Sequence, residues 1–114
     1  MKIIKDKITL AELRAMSAKM FGNLIKAVVD VDLGIMAIDA ELHSDEEAML
    51  LANGSKQVNI WGINLYPEMS GDDFIEFDSM INLRPSQNNR SRSVDDEARR
   101  NKIKQIVNNL VKDE

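Results

Sequence analysis

Residues 24–39, LIKAVVDVDLGIMAID, decide the fold. Ile25, Ala27, Val29 and Val31 alternate with Leu24, Lys26, Val28 and Asp30, which is the two-residue period of a β-strand. Asp32-Leu33-Gly34 breaks the run with a glycine suited to a left-handed turn position, and apolar character resumes from Ile35 to Asp39. Two such runs around a tight turn predict a hairpin. Hairpins build antiparallel sheets, so the chain is read as α+β and not as a regular βαβ alternation.

Working outward, Lys2 to Lys5 reads as a short edge strand, and Thr9-x-x-Glu12 is a capping box. It heads a helix with the stripe Leu10, Leu13, Met16 and Met20, ending at Gly22, with Ser17 at the edge of the stripe. Downstream, Ser44-x-x-Glu47 predicts a second capped helix through Met49, Leu50 and Leu51, closed by Asn53-Gly54. Val58 to Tyr66 predicts a third strand. Its apolar parity changes around Gly62, as a β-bulge or a close backbone approach would require. Phe74 to Leu83 predicts a fourth, with Ile75, Phe77, Ile81 and Leu83 inward. Ser93 is the expected cap of a final helix of about 18 residues with the stripe Ile103, Ile106, Val107, Leu110 and Val111. The expected order is β-α-β-β-α-β-β-α: a mainly antiparallel sheet of four or five strands, covered on one face by helices, in one domain over 1–114.

Composition removes whole classes of function. The 114 residues contain no cysteine and one histidine. Disulfide scaffolds, cysteine nucleophiles, Fe–S clusters and Cys-ligated zinc are excluded, as is any site needing two histidines. Only 4% of residues are aromatic, so the core must be aliphatic. No Gly-x-Gly-x-x-Gly or P-loop pattern is present. No apolar run approaches the roughly 18 residues of a membrane span, and the N-terminal MKIIKDKITLAEL carries charge too early for a secretory signal, so a cytoplasmic protein with no membrane partner is expected. The net charge of -4 argues against nucleic acid as a partner.

The charge is unevenly placed. Ser79 to Val94 holds Arg84, Arg90 and Arg92 and no acid, while Asp30 to Glu47 holds seven acids and neither Lys nor Arg. Within the cationic stretch, Arg84, Ser86, Gln87, Asn89, Arg90 and Arg92 concentrate donors between a strand end and a helix start. Guanidinium forks and helix N-termini suit phosphate or carboxylate oxygens. The competing reading pairs these arginines with Asp95, Asp96, Glu97 or the acidic segment. Glu76 and Asp78, two apart on the expected strand, would stand about 7 Å apart on one face, spaced for a hard cation with water or simply a wet strand face. His43 lies beside carboxylates, and Glu41 or Asp45 would orient it as a general base, with Glu41 the other candidate base. Trp61, Tyr66 and Phe74 would serve as core or as a stacking surface.

The segments KAVVDVDLGIMAIDAELHSDEEAMLL, WGINLYPE and DFIEFDSMINLRPSQNNRSRSV resemble a bacterial family of short proteins described only as a domain of unknown function. Trp61-Gly62-x-Asn64 together with Arg84-Pro85-Ser86-Gln87 carry the resemblance, which covers nearly the whole chain. It implies a self-contained domain and carries no catalytic residue or cofactor to any position here. The residues themselves predict a binding protein whose 84–93 loop holds an anionic small molecule or an acidic protein surface. Two alternatives stand beside it. One is a small enzyme acting on a phosphorylated or carboxylated substrate, which needs the arginines, the Glu76/Asp78 pair and His43 or Glu41 to converge. The other is a homo-oligomerisation module bridged by the same arginines.

Overall fold

In a computed structural model, which describes residues 1–113, the expected hairpin forms the middle of a five-stranded sheet. The elements run β1 (Lys2–Ile4), β2 (Ile8–Thr9), α1 (Leu10–Lys19), β3 (Ile25–Asp30), β4 (Ile35–Ile38), α2 (His43–Ala52), β5 (Ile60–Leu65), β6 (Ile75–Glu76), α3 (Glu97–Leu110) and β7 (Val111–Lys112). The sheet order is β1-β4-β3-β5-β6, and every neighbouring pair is antiparallel. β2 and β7 form a separate two-residue parallel pair. The fold is therefore α+β, with three α-helices on a mainly antiparallel sheet.

The hairpin turn is fixed by Asp30. Its buried carboxylate accepts from the backbone N–H groups of Asp32 and Leu33, both at 2.9 Å, and from the Ser55 hydroxyl at 2.6 Å. Gly34 then takes φ +70°, a conformation that side-chain-bearing residues rarely adopt. At α1 the capping box forms as expected: the Glu12 N–H donates to Thr9 Oγ1 at 3.1 Å, and the Thr9 N–H to Glu12 Oε1 at 3.4 Å. Ser17 is buried with Leu13, its hydroxyl donating to the Arg14 carbonyl at 2.9 Å. It thus lies within the buried stripe and not at its edge.

The alternation of β3 sorts the core into two layers. Ile25, Ala27 and Val29 join Met36 and Ile38 of β4, Trp61, Ile63 and Leu65 of β5, Leu13 of α1 and the Ile103–Leu110 stripe of α3 in the main core. Val28, Ala37 and Ile60 point the other way and pack on Leu50 of α2. Helices therefore cover both faces, which corrects the one-face expectation. Burying Leu50 supplies about 2 kcal/mol toward holding α2 in place.

Three expected boundaries shift. Helix α2 starts at His43, with Leu42 at the N-cap and no side-chain cap, because Ser44 falls on the exposed face once His43, Glu46 and Leu50 turn inward. The final helix is capped by Asp96, whose side chain accepts from the Ala98 N–H at 3.2 Å, and spans 14 residues; Ser93 belongs to the preceding loop. The fourth strand is only Ile75–Glu76. Beyond it the chain turns into a 3₁₀ segment at Met80–Asn82, leaving Phe77 against the main core, Ile81 against the α2-side layer and Leu83 exposed.

That shortened strand explains Gly62. The β3–β5 register is continuous from Ile25↔Leu65 to Asp30↔Ile60, so there is no bulge. The parity change arises because both faces are covered: Ile60 packs toward α2, whereas Trp61, Ile63 and Leu65 pack toward α1 and α3. The close-approach alternative holds, since a Cβ on Gly62 would lie 2.5 Å from Ser79 Cβ. Where β6 fails to reach, the fully buried Asn82 carboxamide takes the place of a strand. The Gly62 N–H donates to Asn82 Oδ1 at 2.8 Å, and Asn82 Nδ2 donates to the Gly62 carbonyl at 2.9 Å and the Arg92 carbonyl at 3.0 Å. Asn82→Ala should therefore cost about 2–3 kcal/mol in denaturant unfolding, because it leaves buried backbone groups unpaired. Asn53→Ala, which removes one exposed bond to Met49, should cost under about 1 kcal/mol.

Candidate functional site

The 84–93 loop is pinned by its first arginine. Arg84 is 8% exposed. Its Nε donates to the Ile81 carbonyl at 3.0 Å, Nη1 to Gln57 at 2.7 Å and Nη2 to Ile60 at 2.6 Å, all backbone oxygens. Glu47 Oε2 lies 3.6 Å from Nη2. The guanidinium also stacks on Trp61, 4.5 Å from the ring centroid, while Arg99 covers the same indole at 4.3 Å. Burial lowers the Arg84 pKa, and Glu47 opposes that shift. Charge-assisted bonds of this kind contribute roughly 1.5–3 kcal/mol each, so Arg84 is committed to the fold.

The next residues follow suit. Arg84 and Asn89 exchange backbone bonds at 2.8 and 3.1 Å around the Pro85–Gln87 3₁₀ turn, with Asn88 at φ +59°. Asn89 is fully buried; its Nδ2 donates to the carbonyls of Asn82 and Ser93, both at 2.7 Å, and Oδ1 accepts from the Asp95 N–H at 2.8 Å. Gln87 Nε2 donates to the Val58 carbonyl at 3.0 Å. Asp95 accepts from the Arg90 N–H at 2.8 Å and from the Ser91 hydroxyl, and these bonds hold its carboxyl below the usual range. Of the six expected anion-binding residues, Arg84, Gln87 and Asn89 thus turn inward. Ser86 and the side chains of Arg90 and Arg92 are exposed.

Arg92 leads to a second polar group. Its Nε lies 2.7 Å from Asp78 Oδ1 in a half-exposed pair. Asn64, on the same β5 parity as Gly62, donates from Nδ2 to Glu76 Oε1 at 2.8 Å and to the Asp78 carbonyl at 3.3 Å. Tyr66 O–H donates to the same Glu76 oxygen at 3.0 Å; partial burial and this bond to Glu76 raise its pKa. Asn64 Oδ1 is buried without a hydrogen-bond partner. Lys26 stands opposite Asn64 in the β3–β5 register. Glu76 and Asp78 do not share a strand, because β6 ends at Glu76. Among the described residues there is no group of three or more His, Asp or Glu side chains placed to hold a metal.

His43 opens α2 beside this group. Its Nε2 lies 2.7 Å from the Ile63 carbonyl, so Nε2 carries the proton and Nδ1 keeps its lone pair. Burial holds its pKa below 6.5. Lys26 and Arg92 add to that lowering, and Asp78 opposes it. A backbone carbonyl orients the ring, not Glu41 or Asp45, both of which are exposed. Lys26 and Asn64 are not among the candidates read from the sequence, where Tyr66 is expected as core or a stacking surface; the signal available was the polar character of Lys26 and Asn64 within largely apolar strands.

One turn along α2, Glu46 is fully buried. Oε2 accepts from the Ala40 N–H at 3.2 Å and Oε1 has no hydrogen-bond partner. Burial pushes its pKa up to about 9, so the carboxyl is protonated at neutral pH.

The chain thus folds as α+β, with its polar loop clamped onto an uncompleted sheet edge. The chain belongs to the family described as protein of unknown function (DUF5674), whose model matches residues 2–110. No curated protein and no solved structure matches it. No helix among the described residues is long and apolar enough to cross a membrane.

Arg84→Ala should destabilise by about 3–5 kcal/mol in denaturant unfolding, since it removes a partner of Glu47 and the guanidinium bonds to the buried Ile60 carbonyl and the partly buried Ile81 and Gln57 carbonyls. Arg92→Ala, breaking an exposed pair, should change stability by less than about 1 kcal/mol. Glu46 predicts a pH dependence of defined sign. Its folded pKa lies above the unfolded value of 4.5, so the unfolded chain releases this proton first and stability falls from pH 4.5 to about 9. Glu46→Gln should remove that component, with its advantage over wild type growing by up to about 1.4 kcal/mol per pH unit across the window. A constant difference between the two proteins would contradict the assignment.

Proposed function

We propose that this protein binds an anionic group, a phosphate or carboxylate borne by a small molecule or by an acidic protein surface, on the side chains of Arg90 and Arg92. One observation carries the reading: Arg84, Asn89 and Asp95 fix the loop from within, while these two guanidiniums stand exposed on it. A braced loop loses little conformational entropy on binding. Asp78 competes for Arg92, but an exposed pair of this kind contributes at most about 1 kcal/mol and yields to a bidentate anion. Ser86 supplies a further exposed hydroxyl, and Arg84, Gln87 and Asn89 serve as the frame. In a thermal-shift and calorimetric panel of phosphate, sulfate, nucleotides, sugar phosphates and dicarboxylates, at least one anion should bind. Arg90→Ala/Arg92→Ala should weaken that binding tenfold or more with little loss of stability. Unchanged affinity in the double variant, or no binding by any anion, contradicts the reading.

A second reading, catalysis on such a ligand, is favoured by one feature: His43, its Nε2 tied to Ile63 and its pKa lowered by burial, keeps a free Nδ1 lone pair. A group so arranged suits a general base.

A further inference from the structure

A groove of about 390 Å³, lined by none of the residues of the arginine loop, lies between the start of α1, the 69–75 segment and the end of α3. Its apolar floor is Leu10, Phe74, Ile75 and Val111, all packed on the edge of the main core. The half-exposed Met69 forms an adaptable wall. The volume lies within the range of small-molecule sites. A shallower depression continues it, sharing Met69, Asp72 and Ile75 and adding Tyr66, Asp73 and Glu76.

The rim is one-sided in charge. Asp72, Asp73, Glu76 and Asp113 border the combined groove, and Lys104 is the one cationic residue lining it. Lys104 stands 3.7 Å from Asp72, an aspartate 99% exposed, so the pair is weak, and among the described lining residues four acids face this one cation. The shallower end combines Asp72, Asp73 and Glu76 with Tyr66, whose backbone N–H donates to the Phe74 carbonyl at 2.9 Å. Aromatic faces beside carboxylates are the surroundings that an organic ammonium prefers. An anionic head would meet four acids against one lysine. A purely apolar ligand would leave the asymmetry of the rim unused.

We propose that this groove is a binding site for an amphipathic organic cation, its alkyl or aryl body on the Leu10–Phe74–Ile75–Val111 floor and its ammonium at the Asp72–Asp73–Glu76 end. The site is independent of the arginine loop, and the Arg90→Ala/Arg92→Ala variant should keep it. Three probes of one shape separate the contributions: 3-phenylpropylammonium, 3-phenylpropanol and 3-phenylpropionate, titrated into the full chain by calorimetry, with amide shifts mapped by NMR. The ammonium should bind at least tenfold tighter than the alcohol, and the carboxylate weakest. The shifts should fall on residues 69–75 and 104–113. Asp72→Asn/Asp73→Asn, exposed changes that spare the core, should erase the ammonium's advantage while leaving the alcohol's affinity unchanged. Equal affinities across the series, shifts centred elsewhere, or no binding of any probe at millimolar concentration would overturn the proposal.

Discussion

The structure depends on one unfinished edge. β6 pairs with β5 only at Asn64 and Leu65, so the outer edge of β5 from Ile60 to Gly62 has no strand beside it. These backbone groups are buried, and a buried peptide left unpaired costs a few kcal/mol. Side chains close the edge instead. Asn82 answers both groups of Gly62, and Arg84 answers the carbonyls of Ile60 and Gln57. Using an arginine there brings a charge into the fold, which explains its surroundings: Glu47 from α2 on one side and the Trp61 ring beneath it. The 84–89 turn, the Asn89 carboxamide and the Asp95 carboxylate then carry the chain to the cap of α3 at Asp96.

This arrangement divides the arginines by burial. The same guanidinium chemistry that suits an anion also suits a row of carbonyl oxygens, and solvent access decides which use prevails. Arg84, nearly closed off from water, is held by several strong bonds. Arg92, half-exposed, has a partner that solvent and salt weaken. A braced loop with outward guanidiniums is what supports the proposal of anion recognition by Arg90 and Arg92.

What was legible in the sequence follows the range of the interactions. The β3–β4 hairpin, the α1 capping box and the α3 stripe rest on neighbours within a few residues, and local patterns reveal them. The Phe74–Leu83 alternation was equally regular, yet it forms two residues of strand, because Ser79 and Asn82 are drawn to Gly62, 17 and 20 positions away. Ser44 and Ser93 matched local cap signals, but the inward pull of His43 and Glu46 and the loop bonds of Ser91 and Asn89 set the helix starts elsewhere. Within the loop that donor density singled out, no local signal could separate the inward Arg84 from the outward Arg90 and Arg92. The hydrogen bond of His43 to Ile63, 20 positions away, required the tertiary fold.

The most direct check on this account is hydrogen exchange at the Gly62 amide. If the Asn82 carboxamide completes the sheet edge, that amide exchanges as slowly as the β3 and β5 amides in the sheet's centre, through global unfolding. Exchange at the rate of an open loop, with the rest of β5 protected, would show that the edge is not closed by side chains and would contradict it.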